Sequence, residues 1–138
     1  MAEEFTIVFA EEPAWDEIGG GINAHNKQYG GEEHFQRLCY VVKDAAGAVV
    51  GGVIGEMYWG WLFVNLMWLR ADLRGRGYGH QLLERIEAEA RQRGAKQVYL
   101  DTFSFQAPDF YKQHGYRVFG ELKDFPPGHT RFFMTKEL

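Results

Sequence analysis

Leu73-Arg74-Gly75-Arg76-Gly77-Tyr78-Gly79 lies between an apolar run that ends near Leu69 and a segment whose Leu82, Leu83, Ile86 and Ala90 share one helical face. Glycines at alternate positions let successive backbone N–H groups face one hollow with no Cβ in the way. The helix that follows adds its own unpaired N–H groups and the positive end of its dipole. The turn therefore reads as a site for a diphosphate, with Arg74 and Arg76 supplying guanidinium charge at its rim. Two other phosphate motifs do not fit. A nucleotide P-loop needs Lys-Ser or Lys-Thr after the glycines, and the dinucleotide fingerprint needs a glycine where His80 stands. Glycines that only make a tight strand-to-helix turn remain the plain alternative.

Working outward, Phe5 to Phe9 predicts a short strand, and Ala14 to Tyr29 a helix split in two by Gly19-Gly20-Gly21. Leu38 to Lys43, Val49 to Tyr58 and Trp61 to Leu69 predict three consecutive antiparallel strands, turned at Asp44-Ala45-Ala46-Gly47 and Trp59-Gly60. The helix after Gly79 stops at Gly94, and Gln97 to Phe103 is the next strand. A short helix, Ala107 to His114, ends at Gly115. Tyr116 to Leu122 and Thr130 to Lys136 are strands separated by Pro126-Pro127-Gly128. This order argues for a mixed α/β (α+β) domain with helices covering a sheet.

Composition narrows the class. The chain of 138 residues holds 17 glycines and 22 aromatic residues with only 4 prolines and 1 cysteine, which excludes disordered, collagen-like and disulfide-scaffold chains. Its length predicts a single domain, residues 1–138. The acidic start, the lone Cys39 and the lack of a long apolar run predict a cytoplasmic protein with no membrane association. A net charge of −4 argues against general nucleic-acid binding. The charge is uneven: residues 1 to 33 hold eight acids and one base, Lys27, whereas residues 70 to 96 hold seven bases. A pocket lined by the first segment would favour a cation, although ordinary solvated faces account for the acids equally well.

The turn Arg74-Gly75-Arg76-Gly77-Tyr78-Gly79, opening an amphipathic helix, resembles the coenzyme A pyrophosphate loop of the GNAT superfamily of acyl-CoA N-acyltransferases. Ala107-Pro108-Asp109-Phe110-Tyr111-Lys112-Gln113-His114-Gly115-Tyr116 is similar to that family's second signature, and the two stretches agree in order and separation. The resemblance spans residues 38 to 138, and the N-terminal third by architecture alone. It looks closest to small-molecule and antibiotic-modifying acetyltransferases. It implies a mostly antiparallel central sheet of about seven strands. It also implies acetyl-CoA as co-substrate, a homodimer, and transfer to a primary amine by direct attack in a ternary complex.

Carried over by residue, the resemblance implies that backbone groups of Trp68 and Leu69 meet the pantetheine arm and that Arg74, Gly75, Arg76, Gly77, Tyr78 and Gly79 hold the pyrophosphate. It implies too that the Tyr111 hydroxyl protonates the leaving thiolate, a plausible exchange between groups of comparable basicity. Beside Phe110, Tyr111 also reads as simple core. Where relatives carry an asparagine, this chain has Ser104, a shorter hydroxyl, with Gln106 as the alternative amide.

An ammonium acceptor must lose a proton, and Glu56, the only acid between Val49 and Leu69, is the candidate base or water-orienter; a strand-edge carboxylate in an ordinary ion pair is the alternative. Tyr58, Trp59, Trp61 and Trp68 would form a cation-accepting wall, or else core or dimer surface. Asn65 reads as a polar contact or a satisfied amide. Asp101 faces the acceptor or braces a loop, and His129 is a secondary base or a solvated loop residue. The histidines and Cys39 lack metal-site spacing, so no metal is expected, and no base is evident that would make Cys39 an acyl carrier. Two other functions compete: a non-catalytic CoA-binding regulatory domain, and a transferase acting on protein or peptide amines.

Overall fold

In the computed structural model, which describes residues 2–138, the elements run α1 (Trp15–Gly30), β1 (Gln36–Lys43), β2 (Val49–Tyr58), β3 (Trp61–Leu69), a single 3-10 turn (Ala71–Leu73), α2 (Tyr78–Gln92), β4 (Gln97–Phe103), α3 (Pro108–Gln113), β5 (Arg117–Lys123) and β6 (Thr130–Glu137). The chain divides into two compact units, residues 1–33 and 34–138. In the first, α1 is one continuous helix through Gly19, Gly20 and Gly21, where the sequence predicts a break. Glycine lowers helix propensity but adopts helical φ and ψ without strain, so the hydrogen-bonded ladder continues through it. Gly31 N–H closes that helix on the Lys27 carbonyl, and Lys27 pairs with Glu32 at 2.7 Å.

The second unit holds a six-stranded sheet in the order β1-β2-β3-β4-β6-β5, antiparallel except for β3 beside β4. The sheet is thus mixed and mostly antiparallel, flanked by helices, with six strands among the described residues rather than about seven. The difference is Phe5 to Phe9, which form no strand. Alternating apolar residues supply the pleat, but a strand exists only where a second backbone pairs with it.

Alternation along β4 sets the two faces. Val98, Leu100 and Thr102 are buried, while Tyr99, Asp101 and Phe103 lie half-buried on the other side. The buried face meets Leu82, Leu83, Ile86 and Ala90 of α2 together with Val53, Met57, Leu62, Val64 and Met134. Gly55 on β2 permits this contact, because a Cβ there would sit 2.7 Å from Ile86 Cδ1 and 2.9 Å from Leu62 Cδ1.

One charged network crosses the core. Glu87 of α2 pairs with Lys136 of β6 at 2.8 Å and accepts the Tyr116 hydroxyl at 2.6 Å, and Lys136 also donates to the His114 carbonyl at 2.7 Å. Helix α2 is thereby tied both to the sheet and to the segment that leaves α3. The phosphate-type turn sits at the free N-terminal end of that anchored helix.

Candidate active site

The parallel pairing of β3 and β4 stops at Val64 opposite Leu100. On its other side β3 passes from Gly55 opposite Val64 to Ile54 opposite Leu66, so Asn65 is an extra, bulged residue. A bulge bends its strand and strengthens the local twist. Past that point β3 and β4 separate, and a cavity of about 970 Å³ opens between them. Asn65 to Leu69 form one wall and Asp101, Thr102 and Phe103 the other, while the glycine turn and α3 close the ends.

The turn has the form the alternate glycines predict. Gly75 and Gly77 adopt φ of +73° and +88°, a region costly for residues with a Cβ, and nothing lies within 4 Å of where a Cβ would be at either. Gly77 is the N-cap of α2 and no side chain caps the helix, leaving its first N–H groups for a ligand. At Gly79, by contrast, a Cβ would lie 3.4 Å from Phe110 Cε2, an ordinary contact. Arg74 reaches into the cavity and donates from Nε to the Leu69 carbonyl at 3.1 Å. Open backbone, a helix N-terminus and a guanidinium together suit a diphosphate.

The remaining candidate residues divide by position. Trp68, Leu69, Arg74, Gly75, Gly77, Gly79 and Tyr111 all line the cavity; Arg76 and Tyr78 do not, and the Arg76 guanidinium lies 5.7 Å over the Tyr78 ring. The Leu69 carbonyl accepts from Arg74 and keeps a second lone pair. Ser104 is turned to the loop, accepting the Thr130 N–H at 3.1 Å. Gln106 lines the cavity in its stead, its Oε1 accepting the Phe103 N–H at 2.9 Å. Glu56 stands behind the wall, where its Oε1 accepts Asn65 Nδ2 at 3.1 Å, and Asn65 itself lines the cavity.

Tyr111 is buried, and its hydroxyl bonds to no described residue. Burial, and then the Asp101 charge, push its phenol up from 10.0 to about 12. It is held as a protonated donor at the cavity end of α3. Tyr58 and Tyr99 hydroxyls meet at 2.6 Å, Phe63 stacks on Tyr99 at 4.8 Å, and Trp61 packs edge-on to it at 5.9 Å. The Trp59 ring lies 6.1 Å from that of Tyr58.

Sequence reasoning missed a histidine pair. His80 Nδ1 and His114 Nε2 are 2.7 Å apart, both rings packing on Phe110. The two are 34 positions apart in the chain, and only the packing of α3 against α2 joins them. Burial, then the neighbouring His80, pulls His114 below its ordinary 6.5. The folded state thus resists a proton that the unfolded chain accepts, so stability from this site is present above pH 6.5 and lost as pH falls through it. Thermal melts between pH 7.5 and 5.5 should show a fall in Tm that His114→Gln reduces.

Residues 3–116 match the acetyltransferase (GNAT) family. The chain belongs to that family. Blasticidin-S acetyltransferase of Streptomyces morookaense is 43% identical over 67% of this chain and 68% of its own length. An acetyltransferase of Agrobacterium fabrum is 30% identical over 92% of this chain and 93% of its own. The crystal structure of an acetyltransferase from Bacillus cereus gives a TM-score of 0.91 at 36% identity, covering 97% of this chain and 98% of that one. This GNAT chain is accordingly an acyl-CoA-dependent acetyltransferase.

Proposed function

We propose that this chain transfers an acetyl group from acetyl-CoA to a primary amine of a small molecule by direct attack within a ternary complex. The observation that carries the reading is the continuous cavity running from the uncapped turn at Gly75 to Gly79, between the splayed strands, to Tyr111. Bound there, the coenzyme supplies an activated thioester. Arg74 and the backbone of residues 75–79 hold its diphosphate, with Arg76 and Tyr78 on the outer rim of the turn. Backbone groups of Trp68 and Leu69 flank its arm, and Gln106, next to Ser104, offers an amide to it. Tyr111 gives its phenolic proton to the leaving sulfur. Glu56 orients Asn65 and a water path that carries protons away from the amine.

The likeness to a blasticidin-S acetyltransferase supports a small-molecule acceptor of the antibiotic kind. We place the enzyme in the cytoplasm as a homodimer, all 138 residues serving one acetyltransferase domain; among the described residues no helix is long and apolar enough to cross a membrane. The test is release of free thiol from acetyl-CoA against a panel of primary amines, blasticidin S among them. Amine-dependent release is expected. Tight acetyl-CoA binding with no release by any amine would replace this reading with a non-catalytic CoA-binding domain, and faster release with peptides than with free amines would make the acceptor a protein.

A further inference from the structure

Asp101 is the first residue of β4 beyond the end of its pairing with β3, and its side chain lies on the sheet face away from α2. Arg131, on the neighbouring β6, donates to it from Nε at 2.9 Å, and its Nη2 lies 2.8 Å from the same oxygen, Oδ1. Three rings fix that approach. The guanidinium carbon lies 5.4 Å from the centre of Phe103, 5.0 Å from Phe125 and 5.2 Å from Phe133. A guanidinium so enclosed has little freedom to turn and span both carboxylate oxygens.

The second oxygen, Oδ2, accepts no hydrogen bond from the described residues. No buried side-chain nitrogen or oxygen among them lacks a partner, so Oδ2 is accessible, and Asp101 lines the cavity that also holds Tyr111. The two are close enough for the Asp101 charge to act on the phenol. Around this oxygen the charge is not balanced. Glu56 and Asp101 both act on Tyr99, whereas among the described residues Arg131 is the one guanidinium bonded to either carboxylate; Arg37, across the strand from Glu56, lies 5.3 Å over the Phe35 ring instead. A half-buried carboxylate oxygen with a free lone pair and aromatic neighbours suits a cation that carries N–H donors.

We propose that Asp101 Oδ2 seats the ammonium of the acceptor, and that Arg131 is the positioning residue that occupies Oδ1 and leaves Oδ2 for it. The inference rests on the cavity being the transfer site. It deepens that reading by limiting the acceptor to amines carried as cations, with the charged nitrogen in the cavity that Tyr111 also lines.

The test uses binding as well as turnover. The full chain saturated with CoA is titrated calorimetrically with benzylammonium chloride and with neutral benzyl alcohol, which differ at the group that Oδ2 would meet. The wild-type protein is expected to bind the ammonium at least about tenfold more tightly. Asp101→Asn should abolish that preference while leaving CoA affinity unchanged. Arg131→Gln should weaken it, and Arg131→Lys should restore part of it. With an amine that is acetylated, Asp101→Asn should raise the amine KM about tenfold and leave the acetyl-CoA KM alone. Equal binding of the two probes by the wild type would overturn the proposal whether or not any variant folds, and so would a preference that survives Asp101→Asn. If no amine in the panel is acetylated, the transferase reading fails while the ammonium seat is still decided by the titrations.

Discussion

Tyr111→Phe is expected to lower kcat about 100-fold while changing the acetyl-CoA KM less than about threefold. The ring packs against Phe110 and Tyr116, contacts a phenylalanine keeps, so the substitution removes one hydroxyl and little else. That hydroxyl bonds to no described residue and sits at the cavity, so no fold contact is lost with it. Burial and Asp101 hold the phenol at about 12, hence it keeps its proton throughout the range in which a GNAT enzyme would be assayed. The alkaline limb of a wild-type kcat profile should therefore not be set by Tyr111 below that value. Stopped-flow release of thiol separates the chemical step from binding. An unchanged kcat would remove the phenol from the donor role.

Glu87→Ala is expected to cost about 3–5 kcal/mol of unfolding free energy, read from urea denaturation. The loss would leave the Lys136 ammonium, mostly withdrawn from water, with the His114 carbonyl and the Tyr116 ring but no counter-charge, and would strand the Tyr116 hydroxyl. Glu87→Gln, which keeps the shape and can still hydrogen-bond, should cost less. Burial and Glu87 also hold the Tyr116 phenol well above the ordinary tyrosine range. A raised folded value means that stability is retained below pH 10 and declines above it, as the unfolded chain loses phenolic protons that the fold retains. Coenzyme affinity of the protein that remains folded should stay close to wild type, because the network lies on the body of α2 and away from its N-terminal turn.

Much of the fold was legible in local pattern. The strands Val49–Tyr58, Trp61–Leu69 and Gln97–Phe103 have the bounds their alternation predicts, and α2 buries the stripe its spacing marks. Local pattern failed where pairing decides. Phe5 to Phe9 have the alternation of a strand without forming one, and Gly19 to Gly21 weaken a helix without breaking it. In the site, glycines at 75 and 77 announced the turn, because a left-handed φ leaves a mark in residue type. Gln106, standing where Ser104 was the first choice, was visible only as an alternative amide.

The amino-acid sequence by itself determined the family of this chain, the order of its elements from the first sheet strand onward and the glycine turn, since each depends on residues adjacent along the chain or repeated at a fixed period. The tertiary structure alone decided which side chains share the cavity. The bulge at Asn65 ends the β3–β4 pairing, and that separation exposes Asp101 and Tyr111 to one space. The pairing of β4 with β6 then brings Arg131 across from a position 30 residues away in the chain. Charge, burial and hydrogen-bond partners at that site are properties of distances between strands, and no local stretch of sequence carries them.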